Sequence, residues 1–128
     1  MARTPAQLGI VVLDQAGGPL LRIAGEIDRE TAPRLADALR QPWASRTAPP
    51  TVRVDLAAVA FCDSSGLNVL LDADRQARER GSTLQLLNVP DRMRRLLAVT
   101  GTDQVLTLVG GAPPGGPGRP APPTVEGG

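Results

Sequence analysis

Residues 61–71, FCDSSGLNVLL, put a carboxylate, two hydroxyls and a glycine in succession, where an apolar stub gives way to helical periodicity. Two kinds of chemistry fit Asp63, Ser64, Ser65 and Gly66. Short polar side chains ahead of a helix accept hydrogen bonds from its unpaired N–H groups, a cap that contributes about 1 kcal/mol. The same helix mouth carries the positive end of the dipole, which favours a phosphate, either bound or attached to a hydroxyl. Two hydroxyls, an acid and a glycine in a row exceed what one cap requires. Gly66 adds a position where another backbone can approach closely. The pattern alone leaves both chemistries open.

Composition removes most of the others. There is no His, so a serine nucleophile has no imidazole base and His-based zinc sites are excluded. Cys62 is alone, which rules out an intramolecular disulfide and a thiolate cluster and fits a reducing compartment. One Phe, one Trp and no Tyr give no stacking platform for single-stranded nucleic acid. Fourteen basic residues, all Arg, balance 13 acidic ones to a formal charge of +1, so no strong field points to nucleic acid or membrane. Neither a signal peptide nor a spanning segment is expected, nor a cofactor or metal, and the expected setting is the cytoplasm. Composition thus argues against conventional catalysis.

The elements that must position the 63–66 run follow from periodicity. LGIVVLD (8–14) and PLLRIAGEID (19–28) read as a β-hairpin turning at Gly17 and Gly18. TAPRLADALRQP reads as a helix capped by Thr31, with Leu35, Ala38 and Leu39 inward and Pro42 closing it. Trp43 then falls in a polar loop and is expected to pack back on that helix. TVRVDL (51–56) alternates as a strand, with Val52, Val54 and Leu56 on one face. A second helix is expected from about Gly66 to Arg80, stopped by Gly81. Its inward stripe is Gly66, Val69, Leu70, Ala73 and Ala77, and Asn68, Asp72, Arg75 and Glu79 form a solvent or partner face.

A strand at 82–89, a helix from Pro90 to Gly101 and a last strand at 104–109 complete the order. The third helix carries Met93, Leu96, Leu97 and Thr100 on one stripe, with Arg92, Arg94 and Arg95 outward. The fold class is α/β: one domain over 8–109, a mixed sheet with an opening antiparallel hairpin, then β-α-β-α-β, covered by helices. Residues 110–128 are Pro/Gly-rich, offer no apolar face to offset the entropy of ordering, and read as a disordered tail dispensable for folding and binding.

Residues 51–108 resemble the STAS domain of bacterial anti-sigma factor antagonists. The resemblance is carried by a strand ending in Asp, a short apolar link, Asp-Ser-Ser-Gly, a long helix closed by Gly, and the NVP…LL..TG run that follows. GEID (25–28) is similar to the family's Gly-Glu-Leu-Asp, so the likeness spans residues 8–109.

The resemblance implies that Ser64 is phosphorylated by an anti-sigma factor that is also a serine kinase. It also implies that the unphosphorylated form binds that kinase and frees a sigma factor, and that a metal-dependent protein phosphatase reverses the mark. Asp28, Asp63, Ser64, Ser65, Gly66 and Asn68 are then expected to face the partner, with Ser65 also capping the helix. Cys62 occupies an apolar family position and is expected to be a small core residue. Two other readings stand beside this one. The motif could be the docking surface of a STAS subunit in another assembly, such as a lipid-transport complex or a sensory scaffold. It could also be a nucleotide site, although no Gly-rich phosphate loop or Lys supports that.

Overall fold

The structure, a computed structural model, describes residues 7–109, so the expected tail at 110–128 lies outside the described residues. Five strands form one sheet in chain order, β1-β2-β3-β4-β5. β1 (Leu8–Leu13) and β2 (Leu20–Ile27) make the antiparallel hairpin, turning through Gly17 and Gly18 at φ 89° and 140°. β3 (Thr51–Cys62), β4 (Thr83–Leu87) and β5 (Thr107–Val109) each run parallel to the strand before. The crossovers are α1 (Ala32–Ala44), α2 (Ser64–Glu79) and α3 (Asp91–Thr100), the last followed by a short 3-10 turn at Thr102–Gln104. The mixed α/β sheet with three helices is the expected architecture.

All three crossovers step across the sheet in the same direction. Right-handed connections of that kind place their helices on one face. The burial agrees: Val52, Val54 and Leu56 of β3 and Leu84 and Leu86 of β4 are essentially fully buried under the helices. Arg53 and Asp55 alternate onto the open face, where the Arg22 guanidinium stands 4.0 Å from the Asp55 carboxylate.

Four local expectations are corrected. Pro42 does not close α1, which continues through it to Ala44 and carries Trp43 into the core beside Leu35 and Leu39. The i, i+4, i+8 apolar stripe outweighs the one N–H that Pro42 lacks. Arg80 then donates to the carbonyls of Trp43 in the last turn and of Ser45 and Arg46 beyond the helix end, the latter two at 3.0 Å. β3 is twice the expected length, because irregularities in its pairing with β2 reset which side faces inward and erase the sequence alternation of residues 57–62. The segment 104–106 is not strand, leaving β5 three residues. Thr100 is exposed, its hydroxyl donating back to the Leu96 carbonyl at 2.7 Å.

The α2 stripe is broader than expected. Leu67 and Asp74 are buried with Gly66, Leu70, Ala73 and Ala77, whereas Val69 is only half-buried. A buried carboxylate needs a partner; Arg78 Nε supplies it at 2.7 Å and its Nη2 reaches the Val105 carbonyl at 2.9 Å. Asn68, Asp72, Arg75 and Glu79 are exposed as expected, the last three linked through the Arg75 guanidinium.

Candidate partner-binding and phosphorylation site

β2 and β3 are parallel and end together, Ile27 beside Cys62. The next residue of each strand, Asp28 and Asp63, therefore leaves the sheet at the same edge. Asp63 N donates to the Ile27 carbonyl at 3.1 Å, joining the two exits. Carboxyl ends of parallel strands, where loops feed helix N-termini, are where α/β sheets form their crevices.

Each carboxylate fastens one loop. Asp63 is the N-cap of α2, its Oδ1 accepting from Ser65 N at 2.8 Å. The cap expected of Ser65 is thus made by Asp63, two residues earlier, with the Ser65 backbone as donor. Asp28 Oδ1 accepts from Glu30 N at 2.9 Å and Thr31 N at 3.0 Å. Thr31 stands at the N-cap position of α1 but makes no side-chain cap. Its buried hydroxyl donates to the Glu26 carbonyl at 2.8 Å and accepts from Asp28 N at 3.0 Å. The two acidic residues are held by backbone and cannot swing freely.

An open depression of about 640 Å³ lies between the two helix starts, lined by Asp28, Arg29, Glu30, Asp63, Ser64 and Ser65. Three carboxylates and one guanidinium give this wall a formal charge of −2. Ser64, the first residue of α2, is exposed, and its hydroxyl has no intramolecular hydrogen bond among the described residues. Asn68 is exposed one turn further along α2, outside the depression. Gly66 is buried beneath it: a Cβ there would sit 2.5 Å from Ile27 Cγ2 and 2.7 Å from Cys62 Sγ. Its role in the structure is to let α2 descend onto the ends of β2 and β3.

Cys62 is half-buried, and burial, with the Asp63 charge adding to it, pushes its thiol up to about 11. It stays protonated at neutral pH, as a small core residue does. Sequence reasoning missed Arg29 and Glu30, which complete the wall, and gave Thr31 a helix cap where it instead braces the Asp28 turn. The available signal was their position directly after Asp28, in a turn whose Asp and Thr can bond their own backbone.

The family model described as "Mlab, STAS domain" matches residues 11–110. The chain belongs to the STAS domain family. This STAS domain is 36% identical over 86 residues to the anti-sigma-B factor antagonist of Listeria monocytogenes, covering 67% of this chain and 74% of that one. It is 34% identical over 88 residues to the anti-sigma-B factor antagonist of Bacillus subtilis, covering 69% and 78%. Among solved structures, an anti-sigma factor antagonist from Mycobacterium paratuberculosis matches with a TM-score of 0.72 at 29% identity, over 81% of this chain and 86% of that one. Among the described residues, no helix of the domain is long and apolar enough to cross a membrane, and no cluster of ligating side chains could hold a metal ion.

Proposed function

We propose that this STAS domain is an anti-sigma factor antagonist switched by phosphorylation of Ser64. Unphosphorylated, it binds an anti-sigma factor with serine-kinase activity and so frees a sigma factor. The observation that carries the reading is the exposed, unbonded Ser64 hydroxyl at the start of α2, flanked by two backbone-fixed carboxylates. A kinase must approach that oxygen closely, and the open depression gives it room. In the transfer, Ser64 Oγ attacks the γ-phosphorus of ATP held by the kinase, ADP leaves, and the hydroxyl proton passes to a kinase base.

The α2 N-terminus tolerates the new anion, so the domain stays folded. The partner, however, then meets about −1.5 to −2 further charges on a wall already at −2. A metal-dependent phosphatase restores the hydroxyl by hydrolysing the phosphoserine. A second reading keeps the same surface as the docking face of a STAS subunit in a larger assembly, without the phosphorylation switch. Incubation with a serine-kinase anti-sigma factor and ATP, followed by fragmentation mass spectrometry, tests the first reading. Phosphate on Ser64 supports it; phosphate on Ser65 with Ser64 bare, or none at all, refutes it.

Asp28 offers a separate test, because its carboxylate both caps a turn and faces the depression. Asp28→Ala is expected to lose about 1 kcal/mol of stability with the cap. It should also lose roughly 2 kcal/mol or more of anti-sigma factor affinity, if the carboxylate meets a cation of the partner. Asp28→Asn keeps an acceptor oxygen while removing the charge. It should melt near the wild type yet bind weakly, measured by thermal denaturation and calorimetric titration. Full affinity in Asp28→Asn would assign Asp28 to the fold alone.

A further inference from the structure

The two edges of the sheet are treated differently. β5 ends one edge after three residues, a common way of denying a strand to neighbours. β1 ends the other with six residues, LGIVVL, which hold no charge, no proline and no irregularity in their pairing with β2. Its Val11 and Val12 are each 55% exposed. An uncharged apolar edge of this length is a template for another strand.

The hydrogen-bond phase of β1 is fixed. Glu26 N donates to the Gln7 carbonyl at 2.8 Å, which makes residues 7 and 26 a hydrogen-bonded pair. In an antiparallel ladder such pairs alternate. With the register Gly9–Ala24, Val11–Arg22 and Leu13–Leu20, the odd residues of β1 spend their N–H and C=O on β2. The N–H and C=O of Leu8, Ile10 and Val12 therefore point outward, away from the sheet.

We propose that β1 pairs antiparallel with β1 of a second copy, about a two-fold axis through Ile10. That register uses every outward group, because Leu8 meets the second copy's Val12, Ile10 meets Ile10, and Val12 meets Leu8. It also preserves the faces, which a shift by a single residue would invert. On the open face Gly9, without a side chain, stands opposite Val11, so small meets large twice across the axis. On the helix face the second copy's Leu8 comes beside Val12. There α1 leaves an apolar groove of about 400 Å³ lined by Val12, Pro19, Leu21, Ala38 and Pro42, with Asp14 and Gln41 at its rim. The strand brings no like charges together. β2 separates the seam from β3, so both Ser64 sites remain open in the dimer.

Sedimentation equilibrium of the full chain is expected to give a concentration-dependent dimer. Val12→Pro removes an outward N–H and no β1–β2 bond, so it should sediment as a monomer with an unchanged circular dichroism spectrum. The register is tested by cross-linking in a Cys62→Ala background. Ile10→Cys places two thiols across a hydrogen-bonded pair, about 5.5 Å between Cα atoms and within disulfide reach. Val11→Cys places them diagonally, roughly 7–8 Å apart and beyond it. Rapid oxidation of Ile10→Cys alone supports the pairing, even if Val12→Pro fails to fold. A monomer at every concentration, a dimer that survives in folded Val12→Pro, or cross-linking of Val11→Cys as fast as Ile10→Cys overturns it.

Discussion

Ser64→Asp is expected to weaken anti-sigma factor binding about 100-fold, whereas Ser64→Ala should bind as tightly as the wild type and resist release by ATP. A 100-fold change requires only about 2.7 kcal/mol. The new carboxylate would join Asp28, Glu30 and Asp63 around one depression, with Arg29 as the single cation in its wall. Like charges brought into an interface cost several kcal/mol when the partner strips their water, so the requirement is met. Stability should move the other way. An acidic side chain in the first turn of a helix gains about 0.3–1 kcal/mol from the dipole, and Ser64 opens α2 without a hydrogen bond to lose. Calorimetric titration of each variant against the kinase, paired with thermal melts, separates the two effects. Tight binding by Ser64→Asp, or a melt well below the wild type, contradicts the switch as described.

The second large effect is expected in the fold itself. Gly66→Ala places a methyl group 2.5 Å from Ile27 Cγ2 and 2.7 Å from Cys62 Sγ. Real Cβ atoms do not approach that closely, and Ile27 is fully buried, so it has nowhere to retreat. Overpacking of this kind costs about 1–3 kcal/mol. Alanine recovers up to about 1 kcal/mol of helix propensity, which reduces the loss without reversing it. The melting temperature should fall by several degrees. Removing the obstacle should relieve the cost, so Gly66→Ala is expected to be less damaging in an Ile27→Ala background than alone. Strictly additive losses would mean that α2 shifts as a body and the contact is not the cause.

The site was legible in the sequence where local chemistry and position agree. Asp63 to Ser65 announce a helix start, whereas Asp28 stands out only through the resemblance of GEID to the family pattern, since alternation carries the strand to Leu56 and not to Cys62. Which residue caps was not legible, because Asp63, Ser64 and Ser65 all suit the position and only the backbone angle of Asp63 decides. In the fold, Val52, Val54 and Leu56 declared β3 through strict alternation, but AAVAFC after them did not. The pairing irregularities there change the inward face, and a period-2 pattern cannot survive that. Pro42 misled for the opposite reason. Proline is a reliable stop in an isolated helix, yet Leu35, Leu39 and Trp43 share one buried stripe whose burial outweighs a lost hydrogen bond. Asp74 was invisible as a core residue, since nothing in sequence says that Arg78, one turn on, lies over it.

The order of the strands in space is the order in which they are synthesised. No strand has to wait for a distant one or insert between two already paired. Contacts of short sequence separation lower the entropic cost of loop closure and speed folding. On a ribosome the hairpin can form first, then dock β3 through α1, and then add each further β-strand at a growing edge. Asp28 and Asp63 come together at the second of these four steps, as soon as the end of β3 has left the exit tunnel. The surface around Ser64 can thus be completed before β4 and β5 join the sheet.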